Sequence, residues 1–223
     1  MKRVIKFKSK GLKFSEPDNW DPVKEIITYL ETLFESSENV GYVTESYEKT
    51  EGETTKYLPT RGACDRTAGE LIELLNICDG DIGAVFGDYN DKAGAWIRFN
   101  PLDGKGVKNE NVTDFRYALV ESDSMALEEQ NALIRELELP VAVMVYTGGK
   151  SIHAIVKVDA PDYDEYRKRV DYLYMEELDA NGDPKPNTNI TFKLTFRLND
   201  NTGVVEVTNV PFKQISSITS SYL

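Results

Sequence analysis

Histidine and cysteine are scarce in this chain of 223 residues, which holds one of the former and two of the latter. Cys64 and Cys78 have no metal-ligand spacing and no histidine nearby, so a Cys/His metal site is excluded. They read as reduced core residues of a cytoplasmic protein rather than as a disulfide. No apolar run reaches the ~18 residues of a membrane-spanning helix, so no membrane partner is expected. The start, Met1-Lys2-Arg3-Val4-Ile5-Lys6-Phe7-Lys8, is basic but lacks the apolar centre of a signal peptide. It reads instead as a strand with alternating lysines. There is no internal repeat and no low-complexity tract.

Positive charge is also short. Twenty-six Lys and Arg face 38 Asp and Glu, a net charge of −12. Proteins that bind nucleic acid alone usually carry a basic footprint, because neutralising phosphates releases counterions. The total therefore argues against a tight autonomous DNA binder, but the distribution is uneven. The first 13 residues carry six Lys or Arg and no acid, and Arg167-Lys168-Arg169 forms a second cluster. Much of the acidity lies between Glu31 and Glu53 and on helix faces, as a solvated surface would.

What is present suffices for a sizeable core: 40% apolar residues and 10% aromatics, in one large domain or two packed modules. Asp21 and Pro22 announce a helix as N-cap and first helical residue, and Val23, Ile26, Ile27, Leu30 and Phe34 recur at helical spacing. Val40 to Glu48 and Thr54 to Leu58, around Lys49 to Glu53, predict a hairpin. A helix is expected from Arg66 to Ile77. Two short strands, Ile82 to Phe86 and Ala95 to Phe99, should flank the turn-rich stretch from Gly87 to Gly94, where turn chemistry accounts for Asp88 and Asp91. Residues 100–114 then connect two modules. Trp20 and Trp96 could stack on bases, but tryptophans in amphipathic segments are expected in the core.

The second half alternates more regularly: strand Phe115 to Glu121, helix Met125 to Leu137, strands Val141 to Tyr146 and Ile152 to Val158, helix Tyr163 to Leu178, strand Ile190 to Leu198. That order is β-α-β-β-α-β, the split βαβ arrangement of an RRM-like sheet. Val204 to Val207 adds a further strand. The expected fold class is α/β (α+β) in two modules, 1–113 and 114–213, with a tail, 214–223, that frays.

Two motifs carry chemistry. Residues two apart in a strand share a face, so Glu121 and Asp123 can project together. Converging carboxylates suit Mg²⁺ or Mn²⁺, which prefer hard oxygen ligands. The alternative is a pair of exposed acids at a strand end. In Gly148-Gly149-Lys150-Ser151-Ile152-His153 the glycines permit close approach of backbone N–H groups to an anion. Lys150 adds a point charge, while Ser151 and His153 share one strand face with Ile152 packed behind. An ordinary Gly-Gly hairpin with a buried histidine is the alternative. In a split βαβ sheet the strands carrying the two motifs are central neighbours, so both can meet on the face that the helices leave free.

Asp114 to Asp123, apolar residues ending in alternating acids, resembles motif I of the archaeo-eukaryotic primase (primase-polymerase) superfamily, and Gly149-Lys150-Ser151-Ile152-His153 resembles its motif II. The similarity spans about residues 80 to 178, is closest to the phage and plasmid type, and takes in Gly94 to Leu102 and Glu165 to Val170. It implies a primase-polymerase fold and a nucleotidyltransferase that makes or extends primers on a single-stranded nucleic-acid template. Glu121 and Asp123 would hold Mg²⁺ or Mn²⁺ for two-metal phosphoryl transfer. Ser151 and His153, with Lys150, would contact the triphosphate of the incoming nucleotide, and Arg98 and Asn100 would line the nucleotide or template side. The family's third acid has no clear counterpart; Asp183 is the preferred candidate and Asp179 the second. No arginine-rich segment follows. Larger relatives continue into a helicase or accessory domain, which makes a replicative helicase an expected partner. The rival expectation is a catalytically weakened primase-fold protein that binds nucleotide, nucleic acid or protein as a regulatory factor of a phage or mobile element.

Overall fold

The computed structural model describes residues 5–7, 19–52, 54–87, 94–122, 125–146, 151–173, 193–199 and 204–210. Along the chain come β1 (Ile5–Phe7), α1 (Pro22–Leu33), β2 (Tyr42–Glu51), β3 (Thr54–Ala63), α2 (Ala68–Ile77) and α3 (Ile82–Phe86). A 3₁₀ turn at Asn109–Asn111 precedes β4 (Phe115–Val120), α4 (Leu127–Glu136), β5 (Val141–Tyr146), β6 (Ile152–Ala160) and α5 (Tyr163–Leu173). Strands β7 (Lys193–Asn199) and β8 (Val204–Val210) complete the described elements. The architecture is α+β. No helix among the described residues is long and apolar enough to cross a membrane.

The chain divides into two compact units, and the division falls between Tyr117 and Ala118, inside β4 rather than ahead of it. Residues 5–7 go with the C-terminal unit, because β1 pairs antiparallel with β8, Lys6 opposite Glu206. The expected boundary lay four residues earlier, at 113/114, with the first strand counted in the N-terminal module.

The N-terminal unit starts from local signals. The Asp21 carboxylate accepts from the backbone N–H groups of Val23 and Lys24, and Pro22 enters as the first helical residue, so α1 begins where expected. Thr67 and Glu70 close a capping box on α2. Leu30, Leu33, Leu71, Leu75, Ile82 and Phe86 are buried, and the Tyr42 and Phe86 rings meet edge-on at 5.3 Å. Strands β2 and β3 form a hairpin of ten residues a side; β2 starts at Tyr42 rather than Val40 and runs on to Glu51, and β3 starts at Thr54 as expected but runs on to Ala63.

One expected strand is a helix. Ile82–Phe86 forms α3, with the Asp81 side chain accepting from Ala84 N–H and Gly87 closing the C-terminus at φ 89°. Five apolar residues cannot distinguish strand from helix by periodicity, and the Asp and Gly on either side decide for the helix. Ala95 to Phe99 is strand-like without forming a ladder. It lies along residues 41–43, with Val43 N–H donating to Trp96 O and Arg98 N–H to Gly41 O. Trp20 departs from expectation too: it stands 61% exposed just ahead of α1.

In the C-terminal unit β6 is the central strand of a sheet ordered β4-β6-β5. This is the neighbour relation of the first three strands of a split βαβ unit. Ile152, Ala154 and Val156 alternate along β6 and form a buried cluster with Ile134 of α4; Leu127 and Leu173, from α4 and α5, pack against it. Both helices therefore cover one sheet face. The fourth strand does not follow the pattern. Strand β7 pairs with β8, and β1 takes the other side of β8, in a separate sheet ordered β1-β8-β7. Only residues 200–203 separate β7 from β8, and closing so short a loop costs little chain entropy.

Candidate functional site

The helix-free face of the β4-β6-β5 sheet carries the site. Strand alternation sends Ile152, Ala154 and Val156 toward the helices, which places His153 on the other face. On β4, Val120 packs into the helix-covered cluster, so the next residue, Glu121, leaves on the side of His153. The two meet: His153 Nε2 lies 2.6 Å from Glu121 Oε2, the distance of a charge-assisted hydrogen bond. The Glu121 side chain is only 9% exposed and that of His153 21%. A carboxylate so enclosed needs a partner, and the imidazole is one.

Ser151 is buried one residue ahead of β6, and Ser122 is buried next to Glu121. Asp123, Lys150, Asp179 and Asp183 lie outside the described residues, as do Asp88, Asp91, the Gly148-Gly149 turn and the tail from 214. Of the sequence-derived site residues in this unit, the structure thus brings together Glu121 and His153, with Ser151 two residues before the histidine. Among the described residues no group of three or more His, Cys, Asp or Glu side chains could hold a metal ion. One carboxylate oxygen and an imidazole suit a hard divalent ion only as part of a larger donor set.

The residues expected to line the nucleotide or template side belong to the other unit. Arg98 runs over Gly41, whose place a Cβ would contest at 2.9 Å from Arg98 Cδ, and donates to Asn109 Oδ1 at 3.3 Å. Asn100 is held by the backbone of β4. It is 7% exposed; its Nδ2 donates to Tyr117 O at 2.9 Å and its Oδ1 accepts from Tyr117 N–H at 3.0 Å. The side-chain amide satisfies both backbone groups of Tyr117 as a neighbouring strand would, which makes Asn100 a structural clamp.

Comparison with family models, with curated proteins and with solved structures finds no match. The site stands on its geometry.

Two residues that sequence reasoning passed over shape their surroundings. Arg116 on β4 pairs with Glu38 at 2.5 Å, and its Nε lies 3.1 Å from Asp114 Oδ2 but off the hydrogen-bond axis. Burial alone would lower the Arg116 pKa; the hydrogen bond and charge of Glu38, then the charge of Asp114, outweigh it and hold the guanidinium more firmly protonated. The second residue is Gln130 on α4. It is buried, donates from Nε2 to Met125 O and accepts the Ile152 N–H at Oε1, both at 2.8 Å. The signal for it was available: Gln130 falls three residues after Leu127 and four before Ile134, on the apolar stripe, where a polar side chain needs a reason.

Proposed function

We propose that this protein is a primase-polymerase-like nucleotidyltransferase, joining nucleotides on a single-stranded template with Mg²⁺ or Mn²⁺ bound through Glu121, Asp123 and Asp183. The observation that carries the reading is the pairing of Glu121 with His153 on the helix-free sheet face, where the motif resemblance requires carboxylate and imidazole to meet. A divalent ion held by these acids would supply Lewis-acid stabilisation of the charge on the transferred phosphoryl group. In this reading His153 exchanges Glu121 for a triphosphate oxygen when nucleotide enters, donating from Nε2. Ser151 adds a hydroxyl and Lys150 a cation beside it. The apolar cluster behind Ile152, Ala154 and Val156 keeps the strand that presents them rigid. A replicative helicase is the partner that fits the reading.

A second reading has an observation of its own. The Glu121–His153 pair is self-satisfied, so the same contact serves a primase-fold protein that binds nucleotide, nucleic acid or protein as a regulator without catalysis. Incubation with single-stranded template, labelled nucleotides and Mn²⁺ separates the two. The enzyme makes template-dependent products that vanish with Asp123→Ala and Glu121→Gln. No product from the unaltered protein, with binding to template or nucleotide unchanged in those variants, refutes catalysis and leaves the regulator.

A further inference from the structure

The amide of Gln130 joins the two segments that carry the site. Its Nε2 donates to the carbonyl of Met125, two residues beyond Asp123, and its Oε1 accepts the N–H of Ile152, the residue between Ser151 and His153. We infer that Gln130 is a positioning residue, which sets the register of the Ser151-Ile152-His153 strand start against the segment that follows Glu121 and Asp123. The inference rests on the proposed reading of Ser151 and His153 as triphosphate contacts.

Packing alone does not explain a glutamine here. The position is 3% exposed, on a helix whose neighbouring stripe residues Leu133 and Ile134 are buried apolar groups. Leucine or methionine would fill the same space without the cost of removing an amide from water. The two hydrogen bonds offset that cost, and both go to backbone, so what they specify is the relative placement of two main-chain segments. The first N–H of β6 is taken by a side chain from α4, and a shift of that helix end would move His153 relative to Glu121. Sites need their groups held within about half an ångström, and the groups that do so usually lie one shell out.

The test uses Gln130→Met, which keeps the volume and removes these two hydrogen bonds, and Gln130→Glu, which keeps an acceptor for Ile152 but turns a carboxylate oxygen toward the Met125 carbonyl. His153 is the only histidine, so one imidazole resonance reports its contact with Glu121 without assignment. The first reading is the ¹⁵N–¹H signature of that imidazole; the second is dATP·Mg²⁺ affinity by calorimetry, each alongside a thermal melt. Gln130→Met is expected to shift the imidazole resonance and weaken dATP on the order of tenfold, and Gln130→Glu, whose buried carboxylate would face the Met125 carbonyl, is expected to shift both readings as well at neutral pH. An imidazole resonance and an affinity that both stay put in Gln130→Met, whatever happens to the melt, overturn the inference. If Gln130→Met does not fold, Gln130→Glu decides by the same shift or its absence. If the unaltered protein binds no dATP, the triphosphate reading fails by itself, and the imidazole resonance alone decides whether Gln130 positions His153.

Discussion

Replacing Asn100 by alanine removes two hydrogen bonds and strands two backbone groups. The Tyr117 N–H and carbonyl, now paired at 3.0 and 2.9 Å, would be left on a residue only 8% exposed. An unsatisfied buried group costs about 1–3 kcal/mol. Two of them, eased by whatever water enters the space left by the amide, give a loss of about 3 kcal/mol. For a unit of about 100 residues each kcal/mol lowers the melting temperature by about 4–8 °C, so a fall of roughly 12–24 °C is expected. The assay is convenient because the only two tryptophans, Trp20 and Trp96, both lie in this unit, so intrinsic fluorescence follows its unfolding and not that of the other. Asn100→Asp keeps one acceptor for the Tyr117 N–H but turns a carboxylate oxygen toward the Tyr117 carbonyl, and should lose at least as much at neutral pH. A loss below about 0.5 kcal/mol, the range of ordinary surface substitutions, would refute the clamp. If nucleotide affinity fell while stability held, Asn100 would return to its first reading as a nucleotide contact.

Two further outcomes are expected. Gly41→Ala places a Cβ 2.6 Å from Leu102 Cδ1 and 2.9 Å from Arg98 Cδ; overpacking of this kind costs about 1–3 kcal/mol, and a tryptophan-monitored urea midpoint equal to that of the unaltered protein would contradict it. Asp171 has its carboxyl pKa raised by burial, against a smaller lowering by Arg167. Because the folded value exceeds the unfolded one, this group's contribution is complete below about pH 4 and is lost as pH rises through the folded pKa. Asp171→Asn should therefore be the more stable protein at pH 7 and lose that advantage toward pH 4; a difference independent of pH would contradict the assignment.

What could be read from the residues alone follows the range of the interaction. Asp21 and Pro22 located α1, and the alternation of β6 with helices on either side placed His153 and Glu121 on one face, because caps and strand period are local facts. Ile82–Phe86 was misread since five apolar residues carry no period, and the capping pair Asp81 and Gly87 was the better evidence. The contacts of Asn100 and Arg116 could not be read: their partners, Tyr117 and Glu38, are set by tertiary placement. The pairing of β7 with β8 and β1 instead of with the β4-β6-β5 sheet is a choice between registers that strand pattern leaves open. Gln130 was legible in principle, as a polar residue on an apolar stripe.

The lone histidine makes the central claim directly measurable. Mn²⁺ is paramagnetic and broadens the resonances of nuclei close to it, while Mg²⁺ is not. If Glu121 helps hold the ion and His153 turns from Glu121 to the triphosphate beside that ion, a substoichiometric addition of Mn²⁺ with dATP should broaden the single imidazole resonance. Mg²⁺ with dATP should leave its width unchanged, and Glu121→Gln should abolish the Mn²⁺ effect. An imidazole line that stays sharp through a stoichiometric Mn²⁺ titration would contradict a metal-assisted nucleotide site at Glu121 and His153.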